Sequence, residues 1–190
     1  MRPLALYARS RGVPAALVAL PVVVVIAWWA MHSPWTVLSV SLTSLAAVLV
    51  ITIGLTGQDP ELDSSTAVPW PVWRFGHLLL AAVLAAVSVL FVQELGTEQF
   101  EAAFIVRDTA GMIGLAGLAT AVAGARLAPA VPMLWWAVSS IMVASQATES
   151  VPNRIATWPH GSPDDPVTHW TAGILFVLGI AAYSARGARR

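Results

Sequence analysis

Arg107 and Asp108 are the residues whose chemistry is hardest to leave unexplained. They stand side by side in the first third of an otherwise apolar stretch, Ala102 to Ala125, and charge at membrane depth is costly unless it faces protein or water. Neighbouring helix positions point about 100° apart, so each is expected to need its own partner. Glu94, Glu98 and Glu101, in the segment ELGTEQFEAA, lie nearest to Arg107 in sequence. Glu101 reaches it only across a bend at the helix start. The five residues form an expected outer charge cluster with two readings. One is a gate that meets a substrate; the other is a snorkelling arginine beside an acidic helix start that suits the positive end of the helix dipole.

Four histidines raise haem and metal chemistry. A bis-histidine haem needs two imidazoles at one depth on facing helices. His32 and His169 share a boundary, His77 lies at the opposite one and His160 falls in a loop, so interfacial histidines bonded locally are the expectation, and no cofactor or metal is assigned. Hydroxyls recur at Ser39, Ser41, Thr43 and Ser44 on one stretch and at Ser139, Ser140 and Ser145 on another; they either line a polar path or bond back to their own helices. No Ser-His-Asp set, His-Glu-x-x-His motif or pair of carboxylates on a common face is present, so enzyme chemistry is not expected. Every basic residue is Arg, which removes a Gly-x-x-x-x-Gly-Lys phosphate loop. The absence of Cys removes disulfides, thiolate metal sites and covalent haem attachment. Ten Arg against ten acids give a formal charge of zero, which leaves nucleic-acid binding without an electrostatic basis.

The elements that must position these groups are apolar helices. With 57% hydrophobic and 11% charged residues among 190, the chain is far from the globular balance of about 25% charged. A helix needs roughly 20 apolar residues to cross the hydrocarbon slab. Six stretches are read as spans: Val13 to Met31, Trp35 to Thr56, Phe75 to Val92, Ala102 to Ala125, Leu127 to Ala147 and Val167 to Ala185. Pro21 is expected to kink the first. The fold class is therefore all-α, a six-helix polytopic membrane bundle in one domain. Arg2, Arg9, Arg11, Arg74, Arg126, Arg186, Arg189 and Arg190 fall on one side of such a bundle and only Arg107 and Arg154 on the other, which places both termini in the cytoplasm. Trp28, Trp29, Trp35, Trp158 and Trp170 then mark the outer boundary, and Tyr7, Trp70, Trp73 and Tyr183 the inner one. Two connections are long: 57–74 on the cytoplasmic side and the Pro-rich 146–168 on the outer side.

Small residues punctuate the fourth span at Gly111, Gly114 and Gly117 among several Ala. Close helix packing is the expected use, because small side chains let backbones approach where lipid offers no hydrophobic drive; a gating hinge is the sharper alternative.

This layout resembles the permease subunits of type II ABC exporters, in particular small actinobacterial ones. The resemblance rests on six spans with both ends inside, on the basic-aromatic segment RPLALYARSRG, on the long loop GQDPELDSSTAVPWPVWRFGH, and on the run RDTAGMIGLAGLATAVAGARLAPAVPMLWW. It implies a bacterial cytoplasmic-membrane protein that forms half of a translocation pathway with a second copy or a paralogue, surrounded by lipid. It also implies a separate ATPase docking on Asp59, Glu61, Asp63, Trp70, Trp73 and Arg74, and a re-entrant element in the outer loop, where Pro-rich sequence stands instead. The alternatives are a non-transporting scaffold, accessory or immunity subunit that uses the Gly-Ala face of the fourth span as its contact surface, and a haem or quinone membrane protein.

Overall fold

The computed structural model describes residues 13–30, 35–52, 70–94, 99–146 and 150–188. Among them the chain is helical and contains no strand. In order the helices are α1 (Val13–Ala30), α2 (Val37–Thr52), α3 (Trp70–Glu94), α4 (Ala102–Ala123), α5 (Ala130–Ala144), α6 (Val151–Ala156) and α7 (Pro166–Arg186), with 3₁₀ turns at Ala125–Leu127 and Trp158–His160.

Four of these segments are long and apolar enough to cross a membrane: α3, α4, α5 with its preceding 3₁₀ turn, and α7. These are the four among the described residues; the ends of the other two expected spans, Met31 and 53–56, lie outside them. Helix α2 has 16 residues and so rises only about 24 Å; the expected continuation to Thr56 lies outside the described residues. Helix α1 runs on through Pro21.

Helices α4 and α7 run in the same direction and α3 opposite to them. Arg74 near the start of α3 lies against Gly187, the residue that ends α7. That end of the bundle, which also holds Arg126 and Arg186, is its arginine end. Arg107 near the start of α4 meets Gly161, Ser162 and Thr168 at the opposite, loop end.

Helix α4, whose two charges make it the least membrane-like of the long stretches, is the most enclosed. Of its most apolar window 72% is buried, against 39% for α3, 28% for α7 and 17% for α5. Its small residues explain why: neighbours close in on several sides at once. A Cβ on Gly114 would stand 2.4 Å from the Leu175 backbone, and one on Gly179 would stand 2.1 Å from the Gly114 carbonyl oxygen, so α4 and α7 touch backbone to backbone. On the same helix a Cβ at Gly117 would meet the Gly179 carbonyl at 3.0 Å, and one at Gly111 the Trp158 ring at 2.4 Å. The Gly face of α4 is thus covered by this chain itself and offers no contact surface to another subunit.

The connection from α3 to α4 is clasped by a residue with no obvious signal in the sequence. Gln93, buried at the end of α3, accepts from the Phe100 backbone N–H at 3.0 Å and donates to its carbonyl at 3.3 Å.

Candidate functional site

Arg107 is 4% exposed and Asp108 0%, so this arginine does not snorkel. The expectation that the pair must seek separate partners is overturned. Cβ directions set the 100° divergence, but a guanidinium hangs from a long flexible stem and can swing round its own helix. Arg107 Nε and Nη2 both donate to Asp108 Oδ1, at 3.3 and 3.1 Å. Nη1 donates to the Ser162 carbonyl at 3.1 Å and to Thr168 Oγ1 at 2.9 Å, and Nη2 also donates to the Gly161 carbonyl at 3.2 Å. A guanidinium carries five N–H groups, and these five bonds use them all. Its carbon also lies 4.4 Å from the centre of the Phe104 ring, on the helix turn before it, a cation–π contact. Arg107 therefore spends its donors on the chain's own backbone and side chains, tying α4 to the loop before α7 and to the first turn of α7.

Of the acids expected around Arg107, Glu94 and Glu101 are not among its partners. Glu101 is the exposed residue at the N-cap position of α4, with no side-chain cap bond, and Glu94 accepts from Gln99 at 2.8 Å. Glu98 lies outside the described residues.

The loop that supplies Arg107's partners is folded into a short helix and a 3₁₀ turn. Ser150 caps α6 by accepting from the Asn153 N–H at 3.4 Å, and Asp165 caps α7 by accepting from the Val167 N–H at 2.9 Å, with Pro166 as the first helical residue. These are ordinary helix-start chemistries. Arg154 clasps Asp165 through two N–H donors, Nε at 2.8 Å and Nη2 on the other carboxylate oxygen. The Arg154 guanidinium holds the Asp165 carboxyl below its usual range. Trp158 is fully buried with its ring laid on Gly111; Trp35 is buried too, whereas Trp29 and Trp170 are exposed. The absent Cβ at Gly111 is what makes room for the indole.

Polar groups gather behind this loop. Trp136 Nε1 donates to Ser41 Oγ at 3.0 Å, joining α5 to α2, and Ser41 in turn faces Asp108. Ser140 meets His160 Nε2 at 2.9 Å, and Trp135 donates to the Ala156 carbonyl at 3.0 Å. Asp108 Oδ2, Ser44 Oγ, Ser139 Oγ, Trp158 Nε1 and His160 Nδ1 are buried without a hydrogen-bond partner. The other hydroxyls largely bond back to their own helices: Thr43 to the Ser39 carbonyl, Ser140 to Trp136 and Ser145 to Met142, each at 2.8 Å.

Above the pair, at the loop end, opens a recess of about 270 Å³ lined by Val143, Arg154, Thr157, His160, Gly161, Ser162, Asp165 and Thr168. It is framed by one paired cation and one paired anion. Burial lowers the proton affinity of His160, the Trp136 carbonyl raises it and the Arg107 charge lowers it again. Among the described residues no group of three or more His, Cys, Asp and Glu could hold a metal ion. His169 sits with Nδ1 3.1 Å from the Asp165 carbonyl, and its expected companion His32 lies outside the described residues.

The expected docking loop is described only at its end. Asp59, Glu61 and Asp63 lie outside the described residues, while Trp70, Trp73 and Arg74 form the first turn of α3. Arg74 lies over the C-terminal end of α7, a place that suits a cation.

Sequence reasoning did not bring Gly161, Ser162, Thr168, Arg154 and Asp165 into one site with Arg107. The legible signals were the caps, Ser150 ahead of Val-Pro and Asp165 ahead of Pro166, which mark folded helix starts inside a stretch otherwise read as a loop.

Among the described residues, fold and site define an all-helical protein with four membrane-length apolar helices and a charge pair enclosed beneath a folded loop. No protein-family model, no curated protein and no solved structure matches the chain.

Proposed function

We propose that the chain is the membrane-embedded subunit of a transport complex in the bacterial cytoplasmic membrane, a permease of the ABC-exporter kind whose ATPase is a separate polypeptide. The observation that carries this reading is the polar recess at the loop end, directly above the buried Arg107–Asp108 pair and set in a bundle whose other long helices present apolar faces outward. A second copy or a paralogue would complete a pathway along those faces, lipid would cover the remainder, and both termini would be cytoplasmic. The acidic segment with Asp59, Glu61 and Asp63 would dock the ATPase, and ATP-driven closure would rock the bundles about their mutual interface.

The test is purification of the tagged chain from its native membrane. An ATPase should accompany it, and reversal of the charges at Asp59, Glu61 and Asp63 should reduce both association and ATP turnover by an order of magnitude or more. An unchanged complex and turnover would refute the docking assignment.

A second reading has its own observation. The central helix is closed off within one chain, with Trp158 seated across it, which favours an accessory subunit that does not itself conduct. In that case reconstituted vesicles lacking this chain would keep full substrate-stimulated ATP turnover. Any contact surface would then lie on the exposed sides of α3, α5 and α7.

A further inference from the structure

We propose that His160 is an acid-released latch: its neutral imidazole holds the folded loop 150–165 onto the bundle, and uptake of a proton lets that loop lift away from α5 and Arg107.

The tautomer follows from the neighbours. Ser140 spends its single hydroxyl proton on the Trp136 carbonyl at 2.8 Å. Toward His160 it can only accept, so Nε2, 2.9 Å away, carries the hydrogen. Nδ1 is then the bare nitrogen, and it is buried with no partner. A proton arriving there creates a buried N–H with no acceptor and puts a second cation beside the Arg107 guanidinium. Arg107 cannot move aside, because all five of its donors are engaged. The His160 side of the contact must yield, and with it go the Gly161 and Ser162 carbonyls that Arg107 holds.

Other charges around His160 do not cancel the effect. From α4 come Arg107 and its partner Asp108. From α6 and the start of α7 come Arg154 and Asp165, which neutralise each other, and His169, which is turned to the Asp165 carbonyl. Helix α5 contributes only Trp136 and Ser140, with the Trp136 ring 5.6 Å away, and α2, packed against the same turn, has no titratable residue between Val37 and Thr52.

The direction of the pH dependence is fixed by burial, the largest influence, which lowers the imidazole from its ordinary 6.5. Closure therefore favours the neutral form. Its contribution is complete above that ordinary value and is lost as pH falls through it toward the lowered one. Asp165 is kept ionised below its ordinary 3.8, so pH 7.5 to 5.0 separates the two groups. The latch operates whether or not the chain works with an ATPase.

The experiment is hydrogen–deuterium exchange of the full chain in lipid nanodiscs from pH 7.5 to 5.0, corrected for intrinsic exchange. The segment 150–165 should lose protection on acidification, with opening increasing up to about tenfold for each unit by which the imidazole is depressed. His160→Gln retains an N–H donor toward Ser140 and cannot take up a proton, so its protection should not vary with pH; His169→Gln should behave as the wild type. Nitrogen-15 spectra of the wild type should show the Nε2–H tautomer at pH 7.5. Protection that is flat in the wild type, a response that persists in His160→Gln, or the Nδ1–H tautomer would each overturn the latch. If His160→Gln fails to fold, the wild-type exchange and the tautomer decide.

Discussion

Arg107 shows how a formal charge becomes tolerable in an apolar chain. Its cost is met by saturation: one carboxylate oxygen, two carbonyls, a hydroxyl and a ring face leave no N–H unused. Removing one member of such a buried set leaves the others bare. Arg107→Ala should destabilise the protein by about 3–5 kcal/mol, read as a lowered midpoint of thermal unfolding in detergent. Arg107→Lys should fall between it and the wild type, because an ammonium cannot reproduce the planar fork. The double variant Arg107→Ala with Asp108→Ala should be less damaged than Arg107→Ala alone, since no unpaired carboxylate remains. That Arg107 matters was legible from its apolar surroundings. Its partners in the loop and on α7 were not, because they lie 54 to 61 positions away in the chain, and single-sequence reasoning looks first to near neighbours such as Glu101.

Among the helices, the decisive contact is the close approach of α4 to α7. Gly114→Ala places a Cβ where the Leu175 backbone stands, and backbone cannot rotate out of the way as a side chain can. Overpacking of this kind costs about 1–3 kcal/mol, occasionally more. Gly173→Ala, on the same helix as Gly179 but with nothing within 4 Å, should be neutral or stabilising by up to about 1 kcal/mol through helix propensity. A thermal-unfolding comparison of the two variants checks the assignment; equal effects would contradict it. The small-residue pattern on α4 announced tight packing in the sequence itself. Which helix fills the groove was hidden, because Gly173 and Gly179 of α7 lack the three-residue spacing that marks Gly111, Gly114 and Gly117. The prolines of the outer stretch mark it in the sequence as a long connection. Pro152 and Pro166 in fact occupy the first turns of α6 and α7, where a missing N–H costs nothing.

For the molecule as a whole, apolar composition made the helical membrane class plain, and among the described residues four of the six apolar stretches form helices of membrane length. The absence of Cys permits a clean test of sidedness. Asp164→Cys at the loop end and Arg126→Cys at the arginine end should react from opposite faces of the membrane with an impermeant thiol reagent, Asp164→Cys in intact cells and Arg126→Cys only after lysis. The enclosure of α4 also bears on how the protein is made. The ribosome completes the charged start of α4 long before Gly161, Ser162 and Thr168 exist, so the arginine meets the lipid or the insertion machinery with only its neighbouring aspartate and Phe104 for company. Helix α4 can settle only once α7 emerges, which makes the arrival of α7 the step that closes the protein around Arg107.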